Sequence, residues 1–302
     1  MKKFKRIAKI YDKHYKFLLV IPLILLALSL GYIAYFYSIN KDFIKRDISL
    51  TGGMSLTIFP TEPININELK KVLEKEISDF NLREISDFRS GKQKAIVIES
   101  RIDSTDSEEY KRLKKILEDF LGYELKDENL SIEITGSTLG QSFYKQLRFA
   151  LILSFIFMAI IVFIIFRTFV PSLAVVISAF ADIVMTLALV DFLGIRVSSA
   201  GIIAFLMLIG YSVDTDIMLT TRLLRGVEGL NERLLGAFKT GMTMTLTSIA
   251  AILVALFITR SFSEVLEQIF TILVIGLGFD ILNTWITNAS LLKWYVEGRE
   301  KE

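Results

Sequence analysis

Cysteine is absent from the 302 residues, which excludes a disulfide framework, a thiolate metal site and a cysteine nucleophile together. The single histidine, His14, lies in a basic N-terminal arm, so neither a Ser/His/Asp triad nor a histidine-rich metal site is available within the apolar part of the chain. Net charge is close to balance at +2, and no global electrostatic attraction to nucleic acid arises. What the chain has in excess is apolar surface: 52% of its residues are hydrophobic, more than an ordinary soluble domain carries. Chemistry, if there is any, falls to carboxylates.

Crossing about 30 Å of hydrocarbon takes roughly 20 helical residues. Six stretches qualify, at 17–39, 147–166, 171–193, 198–221, 240–258 and 265–292. The first has no small-residue cleavage site beyond it and ends in an aromatic belt of Tyr32, Tyr35, Phe36 and Tyr37, which reads as a retained span. Basic residues in short flanks stay on the cytoplasmic side. They gather in the arm at Lys2, Lys3, Lys5, Arg6, Lys9, Lys13 and Lys16, then at Arg167, at Arg222, Arg225, Arg233 and Lys239, and at Lys293, Arg299 and Lys301. The two short loops on the other side carry only Arg196 and Arg260. This predicts a multi-pass protein of the cytoplasmic membrane with both termini inside: a basic arm at 1–16, a first helix at 17–39, an external domain at 40–146 and a five-helix bundle with a short tail at 147–302.

The external segment alternates strand and helix periods. A strand at 54–59 precedes a helix at 67–79, strands follow at 82–87 and 94–99, a second helix starts at Ser104 or Asp106 and stops at Gly122, and a strand at 130–135 closes the set. The order β-α-β-β-α-β predicts a ferredoxin-like α+β domain, an architecture that hosts many functions and names none. No phosphate-cradling loop or metal-ligand cluster stands out, so a binding or lever domain without a cofactor is expected. Thr51-Gly52-Gly53 marks a turn from helix to strand.

A charge near the bilayer centre costs about 2.5–3.5 kcal/mol even on the lenient scale. Away from the span ends lie four carboxylates: Asp182, Asp214, Asp216 and Asp280. Helical spacing puts Ser178, Asp182 and Thr186 on one stripe, Ser212, Asp216 and Thr220 on a second, and Asp280, Asn283, Thr284, Thr287 and Asn288 on a third. A milder stripe, Thr240, Thr243 and Thr247, runs along the fifth span. Polar faces of this kind are expected to point into the bundle. Hydroxyls in spans commonly serve helix packing, whereas intramembrane carboxylates are candidates for ion or proton coupling. Asp214 and Asp216 differ by about 200° around their helix and cannot face one partner. Lys239, at the start of the fifth span, is the candidate counter-charge.

Gly210-Tyr211-Ser212-Val213-Asp214-Thr215-Asp216-Ile217, followed by Arg222, resembles the fourth-helix motif of the SecF side of the SecD/SecF family. Gly52 and Gly53, the stretch Gly136-Ser137-Thr138-Leu139-Gly140 and the stretch from Ala237 to Gly241 are similar to further signatures of that family, in the same order. The Asp-Thr-Asp variant is similar to archaeal members. In bacterial members the motif aspartate aligns with Thr215, which leaves Asp214 and Asp216 as alternatives, and the basic residue opening their fifth helix is matched by Lys239.

The resemblance implies a non-enzymatic auxiliary subunit of the Sec machinery. It would pair with a SecD-like subunit in a twelve-helix unit of the resistance-nodulation-division type and work beside the translocon channel on a translocating polypeptide, among membrane lipid, driven by a proton or sodium gradient. Two other readings stay open at this point: a homodimeric small-molecule exporter of the same superfamily, and an intramembrane aspartyl protease. For the latter, Gly276-Leu277-Gly278-Phe279-Asp280 departs from the Gly-x-Gly-Asp pattern by one inserted residue, which turns the carboxylate by about 100°.

Overall fold

The computed structural model describes residues 14–77, 80–87, 90–102, 104–105, 107–261 and 263–299. The basic residues before His14, the expected helix residue Asp79, the alternative helix start Asp106 and the tail from Glu300, with Lys301, lie outside the described residues.

Among the described residues six helices are long and apolar enough to cross a membrane, as the sequence predicts. The first apolar span, His14–Asn40, contains α1 (Val20–Asn40), and a short helix α2 (Ile48–Thr51) leads into the α+β domain. That domain runs β1 (Gly53–Ile58), α3 (Ile66–Glu76), β2 (Phe80–Ser86), β3 (Gln93–Ser100), α4 (Glu108–Leu121) and β4 (Leu130–Thr135). Its sheet has the order β2-β3-β1-β4 with every neighbour antiparallel, the ferredoxin-like arrangement expected from the element order. Met54, Leu56 and Ile58 of β1 alternate inward and meet Ile96 and Ile98 of β3 and Leu69, Leu73, Leu113 and Leu117 of the two helices. Each of these side chains is at most 1% exposed, and such burial contributes roughly 1.5–3 kcal/mol apiece.

Local signals set the helix ends. Asn65 caps α3 by accepting from the Asn67 amide at 3.0 Å. The expected start of α4 at Ser104 or Asp106 is corrected to a cap at Ser107, whose hydroxyl accepts from the Tyr110 amide at 3.1 Å. Glu108 and Glu109 fill the first turn beyond it, where carboxylates suit the helix dipole.

The remaining spans are α5 (Ser137–Phe166), α6 (Phe169–Phe192), α7 (Ser199–Arg225), α8 (Leu230–Thr259) and α9 (Glu264–Leu282), which continues through a π-helical turn at Asn283–Asn288 into α10 (Ala289–Arg299). α5 and α8 each have 30 residues, about 45 Å of helix, so their first turns extend past the hydrocarbon. The span expected at 265–292 is present as one continuous run, Glu264–Arg299, with the π turn inside it. Side chains of Asn283, Thr284 and Asn288 reach across to neighbouring helices there, and the wider turn lets them and Trp285 be buried together. α6 and α7 form the interior, flanked by α5 and α9, while α1 rests on α6 through Ile33, Val184 and Ala188.

The domain is stitched to the bundle by backbone. The Asp47 amide donates to the Val197 carbonyl at 3.0 Å and the Val197 amide to the Lys45 carbonyl at 2.7 Å, so the loop between α6 and α7 pairs with the linker after α1. Arg196 donates to the Phe80 carbonyl at 3.1 Å, and the Ser199 amide donates to Ser49 Oγ at 3.1 Å. Arg83 on β2 pairs with Glu99 of its own sheet at 3.0 Å and with Glu264, the first residue of α9.

Candidate functional site

α6, α7 and α9 bring three of the four predicted carboxylates together. Asp182, Asp216 and Asp280 are 0–1% exposed, each on a different element of the interior. The three polar stripes read from the sequence face one another, because lipid offers no partner for them and protein does.

Asp182 accepts from Asn283 Nδ2 at 2.7 Å and from Ser212 Oγ at 2.5 Å, so it ties α6 to both neighbours. Asp216 Oδ1 receives Asn288 Nδ2 at 2.7 Å, Thr284 Oγ1 at 2.9 Å and, more weakly, Ser178 Oγ at 3.4 Å. Thr284 Oγ1 also lies 3.0 Å from Asp280 Oδ1. A hydroxyl has one proton to donate, so both Thr284 contacts are hydrogen bonds only when one carboxyl carries a proton and donates in return. Asp216 Oδ2 and Asn288 Oδ1 are buried without a hydrogen-bond partner, an unusual state for groups worth about 1–3 kcal/mol each when left unsatisfied. The arrangement can therefore hold a proton and pass it between helices. Among the described residues no group of three His, Cys, Asp or Glu is placed to hold a metal ion.

Other predicted residues are placed elsewhere. Asp214 is exposed on the opposite side of α7 from Asp216, as their angular separation requires. It shares that face with Ile203, Met207, Gly210 and Tyr211. Lys239 is exposed on α8, and its carbonyl accepts from Thr243 at 2.8 Å. The fifth-span stripe corrects the expectation of an inward face: Thr243 and Thr247 are exposed, and Thr240, Thr243 and Thr247 donate to carbonyls one turn back at 3.2, 2.8 and 2.8 Å. A hydroxyl satisfied by its own helix needs no protein neighbour.

Gly52 and Gly140, read as separate signatures, meet. A Cβ on Gly140 would stand 2.8 Å from the Gly52 amide nitrogen, and Gly52 itself has φ +82° against the Ser137 backbone. Arg222 lies in the last turn of α7, where its carbonyl accepts from the Gly226 amide at 3.1 Å. Sequence reading missed Lys293, counted as an ordinary flanking cation. The structure buries it completely, with Nζ 3.0 Å from Asn231 Oδ1 and over the Tyr15 ring at 5.2 Å. It also pairs with Glu297 one turn on at 3.7 Å, but the contacts that bury it, with Asn231 and Tyr15, come from distant elements and leave no local signal.

The profile described as "Protein export membrane protein SecD/SecF, C-terminal" matches residues 115–298. Protein-export membrane protein SecF of Methanocaldococcus jannaschii is 38% identical over 289 residues, covering 94% of this chain and 96% of its own. The SecF proteins of Methanolacinia petrolearia and Pyrococcus furiosus are 36% and 34% identical over 93% and 94% of this chain, and 94% and 92% of their own. In fold, the chain is similar to SecDF, a translocon-associated membrane protein of Thermus thermophilus, with a TM-score of 0.71 at 17% identity; the match covers 94% of this chain and 38% of that one. By the matched profile and by relatives aligned along almost their whole length, the chain belongs to the SecF family of protein-export membrane proteins.

Proposed function

We propose that the chain is an auxiliary subunit of Sec-dependent protein export that couples proton flow through its helical bundle to movement of its external α+β domain. The observation that carries this is the shared Thr284 hydroxyl between Asp216 and Asp280, a buried site whose hydrogen bonding can take up a proton. α7 supplies the connection. Asp216 lies in its middle, while Ser199 at its start is bonded to Ser49 beneath the domain. One charge crossing about 100 mV is worth roughly 2.3 kcal/mol, enough to bias a two-state movement about fiftyfold.

Pairing with a SecD-like subunit follows from Asp214. An exposed carboxylate within a span is costly in lipid, so the face of α7 that carries it calls for protein cover. A solved structure of similar fold is a SecDF chain of which this one spans 38%, consistent with a second half of like build. The translocon and the exported polypeptide are the further partners of this role. The basic flanks support cytoplasmic termini and an external domain. Burial of all three clustered carboxylates disfavours the protease reading, which needs an open cleft for peptide and water.

The test is gradient-stimulated export in cells or vesicles carrying Asp216→Asn or Asp280→Asn. Asparagine keeps size and hydrogen bonding, so the variants are expected to accumulate and co-purify with a SecD-like partner while stimulation falls at least tenfold. Normal stimulation in both single variants and in the double variant would reject the coupling role. Recovery of the wild type only as a homodimer that moves small molecules would favour the exporter.

A further inference from the structure

At the domain-side end of the bundle, the C-terminus of α1 and the first turns of α5 enclose a cavity of about 400 Å³. Four cations line it: Lys41, Arg46, Lys145 and Arg148. Against them stands one carboxylate, Asp42, which is already engaged by Arg46 Nε at 2.6 Å and by the Tyr144 hydroxyl at 2.6 Å. Tyr144 is buried and holds two guanidinium groups by its ring, Arg46 at 4.9 Å and Arg148 at 5.5 Å. Among the described residues Lys41, Lys145 and Arg148 have no carboxylate within salt-bridge distance. Three uncompensated cations thus converge on one concave site.

Its setting selects the ligand. Tyr37 and Phe43 stack at 4.6 Å to form one wall, aromatic side chains of the kind that sit at headgroup depth. Directly along the two helices the surface turns apolar and outward-facing, with Ile39 59%, Phe149 65% and Ile152 54% exposed. An anion bound in the cleft would therefore stand above acyl-chain-binding surface. Basic residues are also out of place on this side of the membrane in the orientation proposed above, so their clustering needs a local cause.

We infer that this cleft seats the phosphate of an anionic phospholipid in the leaflet next to the α+β domain. Lys41, Lys145 and Arg148 would bind the phosphate, Arg46 and Tyr144 would hold the wall rigid, and the acyl chains would lie along α1 and α5. The occupied cleft would brace the linker at 41–47 that joins α1 to the domain.

The experiment titrates the detergent-purified full chain with phosphatidylglycerol, phosphatidylcholine and sn-glycerol 3-phosphate, read by native mass spectrometry. Each basic residue near an anionic lipid contributes about fivefold in affinity, so K41Q/K145Q/R148Q is expected to bind phosphatidylglycerol roughly a hundredfold more weakly than the wild type. The charge-conserving K41R/K145R/R148K should retain the affinity, and both variants should elute as the wild type does in gel filtration. Undiminished phosphatidylglycerol binding by the glutamine variant would overturn the site, as would equal binding of phosphatidylcholine. Displacement of the lipid by glycerol 3-phosphate at comparable concentration would make the cleft a soluble-phosphate site and overturn the lipid assignment.

Discussion

At the residue scale, the chain's close approaches matter as much as its charges. Leu50–Gly53 crosses the start of α5 with backbone against backbone, and glycine at 140 is what allows it. Ala at that position would place Cβ 2.8 Å from the Gly52 nitrogen and 3.1 Å from the Leu50 carbonyl carbon, neither of which can rotate away as a side chain would. Gly140→Ala is expected to cost about 1–3 kcal/mol, the usual range for overpacking, seen as a lowered thermal midpoint of the detergent-purified protein. Gly31→Ala, in α1 with nothing within 4 Å, is the control and should be neutral or stabilising by up to ~1 kcal/mol. Equal midpoints for the two variants would contradict the packing described. Gly52 and Gly140 could both be singled out in the sequence, but their contact could not, since it joins positions on either side of an entire domain.

At the element scale, the contact between the β2–β3 edge of the sheet and α9 is polar and acid-sensitive. Glu99 is 4% exposed and accepts from Asn81 at 2.9 Å and from Arg83 at 3.0 Å. Burial lifts its carboxyl above the ordinary glutamate value of 4.5, and the charge of Asp47 adds to the rise, while Arg83 and Asn81 oppose it. A carboxyl raised in the folded state holds its proton more tightly there than in the unfolded chain. Its ionisation therefore removes stability as pH climbs through the raised value, and stability returns as pH falls from there toward 4.5. Glu99→Gln is expected to be more stable than the wild type at neutral pH, with the gap in thermal midpoint closing as the solution is acidified. A gap that stays constant or widens on acidification would show that Glu99 is not the titrating group. Arg83, shared between Glu99 and Glu264, keeps the second partner in either state.

For the whole molecule, the property of greatest physical consequence is which end of the bundle faces the cytoplasm. Positive-inside bias assigns the loop between α7 and α8, flanked by Arg222 and Arg225 on α7 and Arg233 on α8, to the inner side and the α+β domain to the outer. The absence of native cysteine makes a single introduced thiol decisive. Glu228→Cys, in that loop, should resist an impermeant maleimide in sealed cells and react after permeabilisation, whereas Glu124→Cys in the domain should react at once. The reverse pattern would invert the topology and with it the direction of the proposed proton path.

Legibility followed the range of the interactions involved. Span number, the order of elements in the α+β domain and the amphipathic faces of α3 and α4 were readable because each depends on residues a few positions apart, where helical and strand periods impose a pattern. The stripes holding Asp182, Asp216 and Asp280 were readable for the same reason, together with the rule that lipid leaves polar faces no choice but the interior. That rule failed for Thr243 and Thr247, whose hydroxyls are satisfied by their own helix. Only the tertiary structure showed that Asp216 is buried and Asp214 exposed, since a helix presents one of them to α6 and α9 and turns the other away, and nothing in the sequence says which way the neighbours lie. The π turn, the buried Lys293 and the cationic cleft between α1 and α5 were likewise settled by packing. Each joins residues separated by tens to hundreds of positions, and their proximity is a property of the assembled bundle.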